Sequence, residues 1–212
     1  MSTTISIDGF TAWLDAFRAR VTENKAYLTE LDSAIGDADH GSNMARGMAA
    51  VMEKVGAASP GTADELFKTV GMTLVTSVGG ASGPLYGTFF LRFGMTAGSV
   101  SECDGPALAA ALRAGLDGVV ARGKAEANDK TMFDAMAPAI DALDSALASG
   151  ASLADAVAAA RDAAAAGRDA TEPLVARKGR ASYLGDRSAG HLDPGATSTA
   201  MLFDALAEVI AA

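Results

Sequence analysis

Three carboxylates, Asp32, Asp37 and Asp39, fall within eight residues and are followed at once by His40, Asn43 and Arg46. The stretch from Asp32 to Gly47 reads Asp-Ser-Ala-Ile-Gly-Asp-Ala-Asp-His-Gly-Ser-Asn-Met-Ala-Arg-Gly. In a helix a step of five residues turns the side chain by about 140° and a step of two by about 200°, so these carboxylates cannot share one helical face. They converge only if the chain bends. Gly36 and Gly41 allow such a bend, which predicts that Asp32 ends one helix, Asp37 and Asp39 lie on a tight loop, and a second helix starts near Ser42. Carboxylates without neighbouring Cys or several His suit a hard ion, Mg²⁺ or Ca²⁺, rather than zinc. An EF-hand loop beginning at Asp37 needs a Glu where the chain has Met48, so Mg²⁺ is the better fit. Mg²⁺ typically takes one or two carboxylates plus substrate phosphates, and a helix beginning after Gly41 offers free N–H groups to a phosphate. The alternative is a polar turn with Asp39 as a helix N-cap.

The rest of the chain is rich in Ala and only 6% aromatic, with few β-branched runs, which predicts an all-α fold and argues against a sheet. The 212 residues suffice for a single domain, 1–212. A net charge of −9 excludes nucleic acid or an anionic membrane as a general partner. Lone Cys103 excludes an internal disulfide, and Met1–Phe10 lacks the pattern of a secretory leader, so a cytoplasmic location is expected. Residues 69–91 carry no charge and are long enough to span a bilayer, but five Gly and Pro84 interrupt them. Two buried helices joined by a turn are expected instead.

Apolar periodicity predicts eight helices: 7–31, 42–55, 62–78, 85–96, 107–122, 131–147, 152–166, and one from Thr197 or Ser198 to the C-terminus. Thr62-Ala-Asp-Glu65 has the form of a capping box. The Gly79–Pro84 turn exposes backbone N–H groups with almost no side chain in the way, as a phosphate or ring requires, although glycine-rich helix hairpins also look like this. Gly118 to Lys124 fits the first seven positions of a P-loop, but Ala125 stands where Ser or Thr should hold Mg²⁺ and a helix precedes it; no Walker site is assigned. Met132, after the small and charged loop 123–131, suits either a ligand ring or the core. Between 171 and 199 periodicity fades, and four cations, Arg177, Lys178, Arg180 and Arg187, stand near Tyr183, His191 and an Asp193-Pro194-Gly195 turn. A loop of this length is usually functional or disordered, and the aromatic and turn residues favour function.

Several segments together carry a family resemblance: Leu-Asp-Ser-Ala-Ile-Gly-Asp-Ala-Asp-His-Gly at 31–41, Gly-Gly-Ala-Ser-Gly-Pro-Leu-Tyr-Gly-Thr-Phe-Phe at 79–90, Arg-Gly-Lys-Ala-Glu at 122–126 and Asp-Lys-Thr-Met at 129–132. To these are added Arg-Lys-Gly-Arg-Ala-Ser-Tyr-Leu-Gly-Asp-Arg-Ser at 177–188 and His-Leu-Asp-Pro-Gly-Ala-Thr-Ser at 191–198. In this order, over nearly the whole chain, they resemble the nucleotide-binding L subunit of bacterial dihydroxyacetone kinase. The resemblance implies a barrel of eight antiparallel helices whose loops at one end bind ADP or ATP through two Mg²⁺ ions. It assigns Asp32, Asp37 and Asp39 as metal ligands and sets His40 and Asn43 beside the phosphates. Ala81, Ser82, Gly123 and Met132 would line the nucleotide, with Arg180 and Asp193-Pro194-Gly195 closing the site and Arg180 acting on the moving phosphoryl group. Three carboxylates and ADP leave about −4 with one Mg²⁺ but about −2 with two, which accords with a pair of ions. The implied partners are a K subunit holding the ketone and a phosphocarrier M subunit of the phosphotransferase system, met by Tyr183 and Arg187 at the rim. A transcription regulator and a second copy of the chain are further candidates. Kinases using free ATP, on this or another sugar, and a nucleotide-loaded regulatory module are the alternatives.

Overall fold

The structure is a computed structural model describing residues 3–212, so Met1 and Ser2 of the N-terminal reading lie outside the described residues. A three-residue strand β1 (Thr4–Ser6) leads into helices α1 (Ile7–Glu23), α2 (Lys25–Ile35), α3 (His40–Ala58), α4 (Ala63–Ser77) and α5 (Ser82–Ala97). Strand β2 (Glu102–Asp104) then precedes α6 (Gly105–Gly123), α7 (Phe133–Ala148) and α8 (Leu153–Ala170). A 3-10 segment (Arg180–Ser188) and α9 (Pro194–Ala211) complete the chain. The fold is all-α apart from the small antiparallel pair β1–β2, in which Ile5 faces Cys103. With three residues in each strand, that pair leaves the all-α expectation standing. Both of its central side chains are buried, so it seals one edge of the core rather than forming a layer.

The first predicted helix is two. Asn24 breaks it with φ −96° and ψ 14°, and the Asn24 side-chain amide donates to the Arg20 carbonyl at 2.9 Å, a local bond that competes with helix continuation. Asp32 is therefore delivered by α2. Helices α3, α5 and α9 begin earlier than periodicity suggested. Ser82-Gly83-Pro84 forms the first turn of α5, and Pro194 occupies the start of α9, where its missing N–H costs nothing. Helix α8 runs past Gly167, which packs so closely on α7 that an added Cβ would lie 2.2 Å from the Asp134 carbonyl. The capping box at α4 is altered too: Thr62 makes no capping bond, and Glu65 accepts from the Gly61 N–H at 3.1 Å.

Packing runs from α1 to α3, then through α4, α5, α6, α7, α8 and α9 in succession, and returns from α9 to α1, with α2 lying against α3 and α9. An aromatic cluster of Phe10, Trp13, Phe67, Phe90 and Phe93 fills the contact between α1, α4 and α5. Trp13 donates its indole N–H to the Leu202 carbonyl at 2.9 Å, which joins α1 to α9. Each of these fully buried rings contributes about 2–3 kcal/mol of apolar transfer. No helix among the described residues is long and apolar enough to cross a membrane. The uncharged 69–91 stretch is divided between α4 and α5, as its breakers imply.

Candidate functional site

The bend between α2 and α3 brings the three carboxylates together: one oxygen from each of Asp32, Asp37 and Asp39 lies within 4.8 Å of the others. Its backbone device is not the one expected. Ala38, rather than a glycine, takes the left-handed conformation, with φ 62°. Gly36 serves by having no side chain, since an added Cβ would lie 2.0 Å from Oδ1 of Asp32. Gly41 is inside α3, where it allows close contact with the Lys25 carbonyl of α2. Nor is Asp39 a side-chain cap. Asp32 takes that role across the bend, its Oδ2 accepting from the N–H groups of Asp39 at 2.8 Å and His40 at 3.1 Å. One carboxylate thus fixes the start of α3 and belongs to the cluster.

Beside the carboxylates opens a cavity of about 420 Å³. Its wall includes the first residues of three helices, His40 of α3, Ser82 of α5 and Pro194 of α9, together with Met132 before α7. The positive ends of three helix dipoles therefore meet at the cavity, a setting for an anion, although the His40 and Ala196 N–H groups are already taken by Asp32 and Asp193 and Pro194 has none. Leu85, Val119, Ala125 and Met132 supply an apolar wall, and Gly79–Gly80 brings bare backbone to the edge. The volume is that of a small-ligand site.

Of the residues singled out from sequence, Asp32, Asp37, Asp39, His40, Ala81, Ser82, Gly123, Met132, Arg180, Asp193, Pro194 and Gly195 all line this cavity. Asn43 does not. It is buried behind the Gly79 turn, within 2.9 Å of where a Gly79 Cβ would stand, and accepts from Arg46 at 2.6 Å. Arg180 stands on the rim, its Nε 2.9 Å from Oδ2 of Asp37. His191 is exposed and away from the wall, and Tyr183 is 87% exposed.

Three residues with no role assigned from sequence also shape the site. Tyr86 and Ser198 share a hydrogen bond of 2.8 Å, and Ser198 in turn lies 2.9 Å from Nε2 of His40, whose Nδ1 is 3.1 Å from the Ser82 hydroxyl. Both ring nitrogens are thereby engaged by hydroxyls, and burial lowers the His40 pKa, which favours the neutral ring. The Tyr86 phenol, fully enclosed, is pushed up to about 12. The third residue is Lys130, on the cavity wall yet only 1% exposed. A lysine in a small polar loop gives no sequence sign of burial; a tyrosine inside the glycine-rich segment is a weak one. Asp193, also buried, accepts from the Ala196 N–H at 2.6 Å, and loss of water raises its carboxyl to about 7. With His40 nitrogens occupied, the donor set at the bend is oxygen alone, the chemistry of a hard divalent cation.

Residues 34–208 match the DAK2 domain. The chain belongs to the DAK2 family. Among its relatives is the ADP-binding subunit DhaL of the PTS-dependent dihydroxyacetone kinase of Lactococcus lactis, 46% identical over 98% of this chain and 100% of that one. The ADP-binding subunit DhaL of the PEP-dependent dihydroxyacetone kinase of Escherichia coli is 45% identical over 92% and 93% of the two chains. The crystal structure of the C. freundii dihydroxyacetone kinase with AMP-PNP and Mg²⁺ superposes with a TM-score of 0.69 at 30% identity, over 93% of this chain and 33% of that one. This DAK2 chain thus spans about a third of the longer kinase. The family is one of kinase subunits, which agrees with the resemblance drawn from the motifs.

Proposed function

We propose that this DAK2 chain is the ADP/ATP-binding subunit of a dihydroxyacetone kinase, a single domain working in the cytoplasm with separate K and phosphocarrier M subunits. The observation that carries this reading is the carboxylate cluster at the mouth of a cavity where three helix starts meet. Asp32, Asp37 and Asp39 would hold two Mg²⁺ ions, and the starts of α3, α5 and α9 would receive the diphosphate. Leu85, Val119 and Met132 would face the base. Bound Mg²⁺ and nucleotide supply charge neutralisation and the phosphoryl group itself. Ser82 is held by neutral His40, and His40 by Ser198 and Tyr86, so the hydroxyl at the phosphate side stays oriented without adding charge. Arg180, on the rim and 67% exposed at its side chain, reaches the transferred phosphoryl group and balances the charge that develops on it. Asn43, behind the turn, supports Gly79 rather than touching the ligand.

A phosphocarrier as phosphoryl source is favoured over free ATP because identity is 46% to a PTS-dependent relative and 36% to the L-erythrulose 1-kinase of Mycolicibacterium smegmatis, of which the matched region is 34%. Transfer also needs an acceptor held in line about 3 Å from the donor. The cavity provides a donor clamp, and the acceptor belongs on the K subunit. The purified chain with ATP, Mg²⁺ and dihydroxyacetone is expected to yield no sugar phosphate until a K subunit is added. Turnover by the chain alone, free of contaminating kinase, would overturn this.

A further inference from the structure

The segment from Glu172 to Gly190 projects over the cavity with almost no core of its own: between Arg177 and Ala189 only Ser188 is buried. It is held at its neck. The Gly190 N–H donates to the Glu172 carbonyl at 2.8 Å, Ala176 N–H to the Ser188 hydroxyl at 2.8 Å, and Arg177 N–H to the Asp129 carbonyl at 3.0 Å. Lys130 fills the centre of this neck. Its Nζ donates to the carbonyls of Ser188 at 2.7 Å, Leu174 at 3.0 Å and Glu172 at 3.3 Å. An ammonium has three N–H donors, and here all three are spent on backbone from both sides of one loop. Lys130 also adopts a left-handed backbone with φ 62°, which a residue with a Cβ takes only when its surroundings hold it there.

We propose that Lys130 is a positioning residue: its buried ammonium locks the neck of the 172–190 loop and thereby sets where Arg180 and the Lys178–Gly179 backbone stand on the cavity rim. The lock itself is independent of the kinase reading; only its consequence for transfer rests on that reading. Hydrogen–deuterium exchange on the whole chain tests it. In Lys130→Met, which keeps the length and removes the donors, the neck amides of Ala176, Arg177 and Gly190 should exchange at least tenfold faster while the helices keep wild-type protection. Lys130→Gln, with two donors, should fall between. With the K subunit present, kcat should drop at least tenfold in Lys130→Met and the KM for the ketone should hold. Unchanged loop protection, or equal loss across the helices, would overturn the proposal. Should Lys130→Met fail to fold, Lys130→Gln decides: its Ala176, Arg177 and Gly190 amides must exchange faster than in the wild type while helical amides do not, and unchanged neck rates would overturn the proposal. Loop protection that depends on Lys130 in a chain with no transfer activity even when the K subunit is added would support the lock and sink the kinase reading.

Discussion

The carboxylate bend and the 172–190 loop meet at one cavity but are held in opposite ways. The bend is supported from within nine residues, by Asp32 capping α3 and by Gly36 making room for that carboxylate. The loop is supported by Lys130, which lies 42 to 58 residues from the carbonyls it binds. Chemistry built on a local scaffold can be read from spacing. Chemistry hung on a distant side chain cannot, because the supporting residue carries no local mark of its role.

The largest effect is expected on the distantly held side. Arg180→Ala should slow transfer to the K-bound ketone by about 10³-fold, the scale of an arginine that stabilises a moving phosphoryl group. Affinity for Mg·ADP should change less than about threefold, and the melting temperature should hold, because the Arg180–Asp37 pair is largely exposed. Single-turnover transfer and calorimetric titration measure the two arms. Weakened binding with normal transfer would reverse the assignment.

On the locally held side, Gly36→Ala places a methyl 2.0 Å from Oδ1 of Asp32 and so displaces the carboxylate. Affinity for Mg·ADP should fall about 30-fold, equivalent to about 2 kcal/mol, with helix content unchanged by circular dichroism. Wild-type affinity would show that the bend tolerates a moved Asp32.

An effect on stability rather than on the ligand concerns Asp193, which starts α9. Its carboxyl is raised to about 7 by burial, against an ordinary value near 3.8, so between those pH values the folded chain holds a proton that the unfolded chain has released. Its contribution to stability is therefore full below about pH 4 and is lost as pH rises through about 7. Asp193→Asn should flatten this part of the profile, by about 1–3 kcal/mol between pH 4.5 and 7.5 in urea melts. A variant whose stability follows pH as the wild type does would remove Asp193 from the account.

How far the sequence carries can be judged element by element. Apolar stripes such as Phe10, Trp13, Leu14, Phe17 and Val21 mark helices plainly because each is buried on one face. The boundaries at Ser82 and Pro194 were obscured because Gly and Pro, usual in turns, here sit in first turns where they cost little. The break at Asn24 has only a single polar residue as its sign. At the site, the carboxylates and the phosphate-side residues stand in contiguous motifs, and the structure gathers all but Asn43 around one cavity. Ser198 and Tyr86 belong to segments with recognisable motifs, yet the Tyr86–Ser198 and Ser198–His40 links span 112 and 158 residues and are made only by packing.

The central claim is that Asp32, Asp37 and Asp39 hold Mg²⁺-bound nucleotide in this cavity. Native mass spectrometry tests it most directly, with wild type, Asp37→Asn and Asp39→Asn each incubated with Mg²⁺ and ADP and weighed before and after acid denaturation. An amide lacks the anionic charge the ion requires, so the wild type should carry ADP that acid releases, and both variants should lose most of it while keeping a folded charge-state distribution. Wild-type levels of ADP on folded Asp37→Asn and Asp39→Asn chains would contradict the account.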